Sequence, residues 1–255
     1  MSRHKFQYRH PDNVPQDGQQ PAISLLPAAI LLMMVIGLAW LTVARNVVYD
    51  DPITLWNDVI DKSPRKARTH FGLGEAYEKY GQQENAVKEY LRAINLRPDY
   101  ARAFYNLGTL YYNEEKWDDA IAALRKATEL RPAYKQAHFN LGMAYVRRGR
   151  LTDAERAFRE ALSLDPLSVD AMMNLGGVYY LRNELQQAML LYQKVLELQP
   201  QHIDARMNLA KTYGQMGRSN DARRELERIV QLQPSHAVAA AMLRDLSGAD
   251  RKSRR

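Results

Sequence analysis

Two patterns of apolar and polar residues divide the chain. From Ala22 to Ala44 no side chain is charged: AISLLPAAILLMMVIGLAWLTVA. From Pro64 onward the apolar positions instead recur three and four apart. Prolines punctuate that region at one constant interval, Pro64, Pro98, Pro132, Pro166, Pro200 and Pro234. The first pattern predicts one helix that is apolar on all sides, and the second predicts pairs of short amphipathic helices.

Aligned on the prolines, the chain yields five units of equal length: 67–100, 101–134, 135–168, 169–202 and 203–236. Leu73, Leu107, Leu141, Leu175 and Leu209 recur within them, each followed by Gly74, Gly108, Gly142, Gly176 or Ala210. Tyr77, Tyr111, Tyr145, Tyr179 and Tyr213 come next, then Ala86, Ala120, Ala154, Ala188 and Ala222. Tyr90, Leu124, Phe158, Tyr192 and Leu226 close the pattern. The Leu and Tyr stand four apart, on one face of a first helix, and the small residues let a second helix approach closely. Gly81, Gly149 and Gly217 mark the turn between the helices, with Glu115 and Glu184 expected there in the second and fourth units. Each proline ends a second helix. One hairpin cannot cover its own apolar face, so neighbours are expected to stack into a solenoid.

These residues resemble the tetratricopeptide repeat family over about two thirds of the chain. The resemblance implies an all-α, right-handed superhelical solenoid, here preceded by one transmembrane helix. Residues 45–66, with Trp56 and Val59, look like a juxtamembrane half-repeat, and 237–248 reads as a C-terminal capping helix. The stretch from Leu41 to Gly74 is also similar to the join between membrane and repeats in multispanning membrane glycosyltransferases with tetratricopeptide tails. Arg45, Asn46, Tyr49, Leu55, Trp56, Ser63, Pro64 and the Arg68 to Gly74 run carry that similarity. With one span, this chain lacks the catalytic part of those proteins.

At about 1.5 Å per residue, a helix over 22–44 reaches roughly 35 Å, enough for a hydrocarbon core. A cleaved signal peptide ending near Thr42 and Ala44 is the competing reading. The long leader and the length of the apolar run favour an uncleaved anchor. Arg3, Lys5 and Arg9 precede the run and only Arg45 follows closely. The positive-inside bias then puts the N-terminal tail 1–21 in the cytoplasm and the repeats on the periplasmic or extracytoplasmic side, with cytoplasmic repeats as the alternative.

Composition narrows the function classes. The 46% apolar and 25% charged fractions are those of a folded chain, and the absence of cysteine excludes disulfides and thiolate metal sites. Of the net charge of +7, the tail 249–255 holds +3 and the first 44 residues +1, so the remainder is a mixed-sign surface rather than a nucleic-acid footprint. His70 and His138 share the fourth place of their units, and His202 and His236 share the last, spacings that suit structure better than metal ligation. Gly72 and Gly74 lack the preceding strand of a phosphate loop, and Glu114, Glu115, Asp118 and Asp119 read as a solvated acidic face. No catalytic residue, metal or cofactor is therefore expected, and no enzyme activity.

In tetratricopeptide proteins the first helix of each pair lines the concave side, so the resemblance implies a partner-binding groove. Its sixth places are Gly72, Asn106, Asn140, Asn174 and Asn208. A carboxamide offers one acceptor and two donors, which suits the backbone of an extended peptide. Asparagine is also a common residue at this place in such repeats, where it serves local hydrogen bonding, and both readings stand. The fifth places are Phe71, Tyr105, Phe139, Met173 and Met207, and Tyr112 and Tyr180 stand among the twelfth. Large side chains on an open groove imply a covering partner. The expectation is a membrane-anchored scaffold gripping an extended protein segment. An accessory subunit of an envelope glycosylation or polysaccharide system is the alternative, as is an assembly or quality-control factor for exported proteins. Self-association is also open.

Overall fold

The computed structural model describes the backbone of residues 25–49 and 51–253, and the side chains of 27, 29–43 and 51–246. Every described element is an α-helix. The chain divides into two compact units, 1–51 and 52–255. The expected N-terminal tail 1–21 lies outside the described residues, as do the side chains of the basic tail 249–255.

The first unit holds α1 (Leu25–Tyr49). Its large apolar side chains from Leu31 to Val43 are all more than half exposed, with Trp40 at 69%. The span expected over 22–44 is only partly described. Its fully described stretch, 29–43, is about 22 Å long at 1.5 Å per residue. Among the described residues, no helix is long and apolar enough to cross a membrane.

The second unit begins with α2 (Pro52–Lys62) and continues through ten helices that alternate between 13 and 14 residues. These are α3 (Ala67–Lys79), α4 (Gln83–Leu96), α5 (Ala101–Asn113), α6 (Trp117–Leu130) and α7 (Lys135–Arg147), then α8 (Leu151–Leu164), α9 (Val169–Leu181), α10 (Leu185–Leu198), α11 (Ile203–Gln215) and α12 (Ser219–Leu232). The last helix, α13 (Ala237–Ser253), runs beyond the expected cap, which was to end at 248. Within this unit, each odd helix from α3 to α11 packs on the even helix that follows, and each even helix from α2 to α12 on the next odd one. The odd helices α5, α7, α9 and α11 also touch one another in sequence, so they line the inner side of the stack.

The first four hairpins close for want of a side chain at one place, where the fifth has Ala210. A Cβ on Gly74 would lie 2.6 Å from the Tyr90 ring, one on Gly142 2.7 Å from Phe158, and one on Gly176 2.7 Å from Tyr192. Tyr90, Phe158, Tyr192, Leu124 and Leu226 are sealed in the core, as are the alanines Ala86, Ala120, Ala154, Ala188 and Ala222. Burial of this kind stabilises by about 1.5–3 kcal/mol per large side chain.

The turn between helices uses one left-handed residue per hairpin: Gly81, Glu115, Gly149, Asn183 and Gly217, with φ between 59° and 76°. The expectation of Glu184 in the fourth unit was one residue late. Asn183 takes the left-handed place, and Glu184 is the residue before α10. The N–H of the following residue returns to the tyrosine carbonyl of the first helix, as in Gln82 to Tyr77 at 2.9 Å and Glu184 to Tyr179 at 2.8 Å. This bond satisfies a carbonyl the helix end would otherwise leave open.

The proline turns between hairpins are pinned from the fourth place. His70 Nε2 lies 2.9 Å from the Pro64 carbonyl, His138 Nε2 2.8 Å from that of Pro132, and Arg206 donates to that of Pro200 at 2.6 Å. His70 also meets Glu89 at 2.7 Å, as Arg206 meets Glu225 at 2.7 Å, so these histidines are used within the fold.

Candidate partner-binding face

The face carried by α3, α5, α7, α9 and α11 collects the residues singled out from the sequence, and it treats them unequally. At the sixth place of α3, Gly72 replaces asparagine because Trp56 of α2 stands there. A Cβ on Gly72 would lie 2.4 Å from the indole. Asn106 donates to the Tyr90 hydroxyl at 3.0 Å, and that hydroxyl donates to Glu78 at 2.7 Å. Asn140 donates to Thr109 at 3.2 Å and to the Tyr105 hydroxyl at 3.4 Å. Asn174 donates to the Asp170 carbonyl of its own helix at 2.8 Å. Asn208 is half-buried. Asn106 and Asn140 therefore tie neighbouring hairpins together.

The apolar residues divide in the same way. Phe71 is 3% exposed and belongs to the core, not to an open groove. Its ring is covered by Tyr100, 4.9 Å away between centroids, and by the Arg102 guanidinium at 4.8 Å. Tyr105 is half-buried against Tyr134 at 4.8 Å. Phe139, Met173 and Tyr180 are half-buried. Tyr112 meets Trp117 edge-on at 5.1 Å, with Arg147 4.9 Å over the indole.

Three of the expected residues, Tyr105, Phe139 and Asn140, converge on one cleft of about 250 Å³. Its other walls are Lys135, Gln136, Ala161, Asp165, Ser168 and Asp170. Lys135 bonds Asp165 at 2.9 Å and thereby holds that carboxyl below its ordinary range. Ser168 is the N-cap of α9, its hydroxyl accepting from the Ala171 N–H at 3.3 Å. His202 caps α11 and His236 accepts from Ala239 in the same manner, each through Nδ1 at 3.2 Å. Further up the face, burial raises the Tyr134 phenol above its usual value, with Tyr105 adding to the effect. Burial likewise raises Glu75, against the pull of Arg102 3.1 Å away.

The sequence reading did not single out Tyr100, Tyr134, Trp117 or Ser168. A signal for the first two exists: Arg97-Pro98-Asp99-Tyr100 and Arg131-Pro132-Ala133-Tyr134 repeat one Arg-Pro-x-Tyr motif at the repeat spacing. The arginine stacks on the tyrosine at 4.9 Å in both.

Comparison with known proteins gives a consistent picture. Family models described as tetratricopeptide repeats match residues 105–157 and 139–203, 79–115, and 182–246. No curated protein sequence matches the chain. Among solved structures, YrrB, described as a TPR protein with an unusual peptide-binding site, aligns with a TM-score of 0.69 at 22% identity, covering 73% of this chain and 96% of its own. MamA aligns at 0.64 and 23% identity, covering 67% and 93%. The pilF protein of Pseudomonas aeruginosa aligns at 0.63 and 17% identity, covering 82% and 94%. Identities at this level speak to the fold alone.

Proposed function

Since this chain is a tetratricopeptide-repeat protein, we propose that it is a non-enzymatic scaffold whose odd-numbered helices hold an extended segment of a protein partner. The observation that carries the reading is the cleft shared by Tyr105, Phe139 and Asn140, where two rings stand among polar and charged side chains. YrrB, of similar fold, is described as having a peptide-binding site. The five equal units 67–100 to 203–236 form the register of the face, and Met173 and Tyr180 continue it beyond the cleft.

The proposal extends to a membrane tether. The exposed apolar side chains of α1 have no mate within the described residues of their own unit, and a lipid phase would take them. Thr42 already turns its hydroxyl to the Leu38 carbonyl at 2.8 Å, which hides its polarity within the helix. The uncharged run 22–44 is long enough to span, and the basic residues ahead of it favour repeats outside the cytoplasm.

The test is partner capture by in-cell cross-linking from a photoreactive residue at Tyr112. Replacing Asn106, Asn140 and Asn174 by alanine is expected to weaken the cross-linking while far-ultraviolet circular dichroism stays native. Undiminished cross-linking would refute the groove. Carbonate extraction of membranes tests the tether: release of the full chain into the soluble fraction would refute it.

A further inference from the structure

We propose that the cleft beside Phe139 is a vacant ring seat that takes a tyrosine side chain from the bound partner segment, with a basic residue next to that tyrosine. The proposal rests on the reading of this face as the partner-binding surface and names the residue the surface selects.

The repeat frame supplies the argument. Three consecutive units carry an aromatic ring at the fifth place: Phe71, Tyr105 and Phe139. In the first two, the last residue of the same unit lays a tyrosine against it. The centroid distance is 4.9 Å with a 39° tilt for Phe71 and Tyr100, and 4.8 Å with a 37° tilt for Tyr105 and Tyr134. Two occurrences of one geometry, one full repeat apart, mean that the backbone frame creates the seat. In the third unit the last residue is Ser168, and its short side chain is engaged in capping α9. Phe139 keeps the ring behind it, Phe158 at 5.8 Å, but has no tyrosine of its own in front. The cleft of about 250 Å³ opens at this place. An apolar cavity of about 150 Å³ accepts benzene, so a phenol fits.

The charges around the seat are inverted relative to its filled counterparts. Arg97 and Arg131, three places before the end of their units, cover the outer faces of Tyr100 and Tyr134. Arg102, the second residue of the following unit, covers Phe71. Around Phe139 the equivalent residues are Asp165 and Asp170, and Asp165 is already tied to Lys135. Where the protein fills its own seat it supplies both a ring and a cation. Where it leaves the seat open it supplies acid, so the incoming segment brings the ring and the cation together. An aromatic pair and a ring-face cation each add to area burial, so one such residue can dominate a short peptide's affinity. The fourth and fifth units carry Met173 and Met207 at the fifth place, so their frame offers no ring to stack on.

The test uses the full chain in mild detergent with methyl-labelled alanine, and follows the Ala161 methyl, which lines the cleft. The probes are the capped peptides Ac-Gly-Tyr-Arg-Gly-NH2, its Tyr-to-Ala analogue and its Arg-to-Glu analogue. The first is expected to shift the Ala161 signal saturably. The alanine analogue is expected to bind about tenfold more weakly, and the glutamate analogue several-fold more weakly. Ser168→Tyr, which closes the seat from within, is expected to remove the shift. His202→Ala, which loses the equivalent cap one repeat further on and lies outside the cleft, is expected to keep it. No saturable shift, equal binding of the alanine analogue, or a native shift in Ser168→Tyr would each overturn the proposal. Native cross-linking by Ser168→Tyr alongside loss in the asparagine triple variant would reject the seat and keep the partner-binding face. Native cross-linking by both would reject the two together.

Discussion

The seams between hairpins are built in two ways along the second unit. Where α4 meets α5 and α6 meets α7, the last residue of the repeat is a tyrosine that covers the ring of the preceding first helix, with an arginine over it. Where α8 meets α9, α10 meets α11 and α12 meets α13, the same place holds Ser168, His202 and His236, which accept hydrogen bonds from the helix that follows. One position of the frame thus does either hydrophobic work or capping work. The ring removes apolar surface from water and closes the face, whereas the cap satisfies a helix N–H and leaves the face open. A seam need not be weak in order to be accessible.

The first way to break this contrast is to disturb the closed end. Gly72→Asn, which would extend the asparagine column to the first unit, drives a side chain into Trp56 and is expected to cost about 3 kcal/mol, read as a lower urea midpoint. Tyr134→Ala is expected to cost about 2 kcal/mol, since a half-buried ring loses part of the value of a core one. Ser168→Ala is expected to cost about 1 kcal/mol, the value of a cap. Hydrogen exchange at α7 and α9 separates the two, because in a solenoid each loss is felt mainly by its neighbours. If the serine change cost as much as the tyrosine change, the distinction between covering and capping would fail.

A titration sharpens the same comparison. Burial raises the phenols of Tyr90, Tyr111, Tyr134, Tyr179 and Tyr192, so the folded chain holds protons that the unfolded chain releases near pH 10. Their contribution to stability is complete below that pH and falls away as pH rises through the folded values. The urea midpoint is expected to be flat from pH 8 to about 9.5 and to drop above it. Tyr134→Phe is expected to reduce the drop, while Ser168→Ala leaves its size unchanged. The smallest effect concerns the turns. Glu115→Gly relieves a left-handed residue and is expected to raise stability by about 0.5–1 kcal/mol.

The hairpins were legible because their rules are local or strictly periodic. A proline at one constant interval, a leucine and tyrosine four apart, and glycine opposite a ring each leave a mark in the sequence. The turn in the fourth unit was misjudged by one residue because Asn183 tolerates the left-handed region without being glycine. The face was less legible. Whether Phe71 lies open depends on Tyr100, at the far end of its unit, and on Arg102, so its burial is settled by side chains at and beyond the next seam. Asn106 and Asn140 were ambiguous for the same reason: their hydrogen-bond partners belong to the hairpin before them.

Trp56 against Gly72 has a consequence for how the array opens. A solenoid frays from its ends, because an end unit has one neighbour instead of two. At the leading end that missing neighbour is replaced by α2, whose indole rests on backbone bared of any side chain. Lifting α2 would therefore expose a bare helix face at Gly72. The rate at which that plug comes out sets the lifetime of the first hairpin and the time its surface is open to proteases or to another chain.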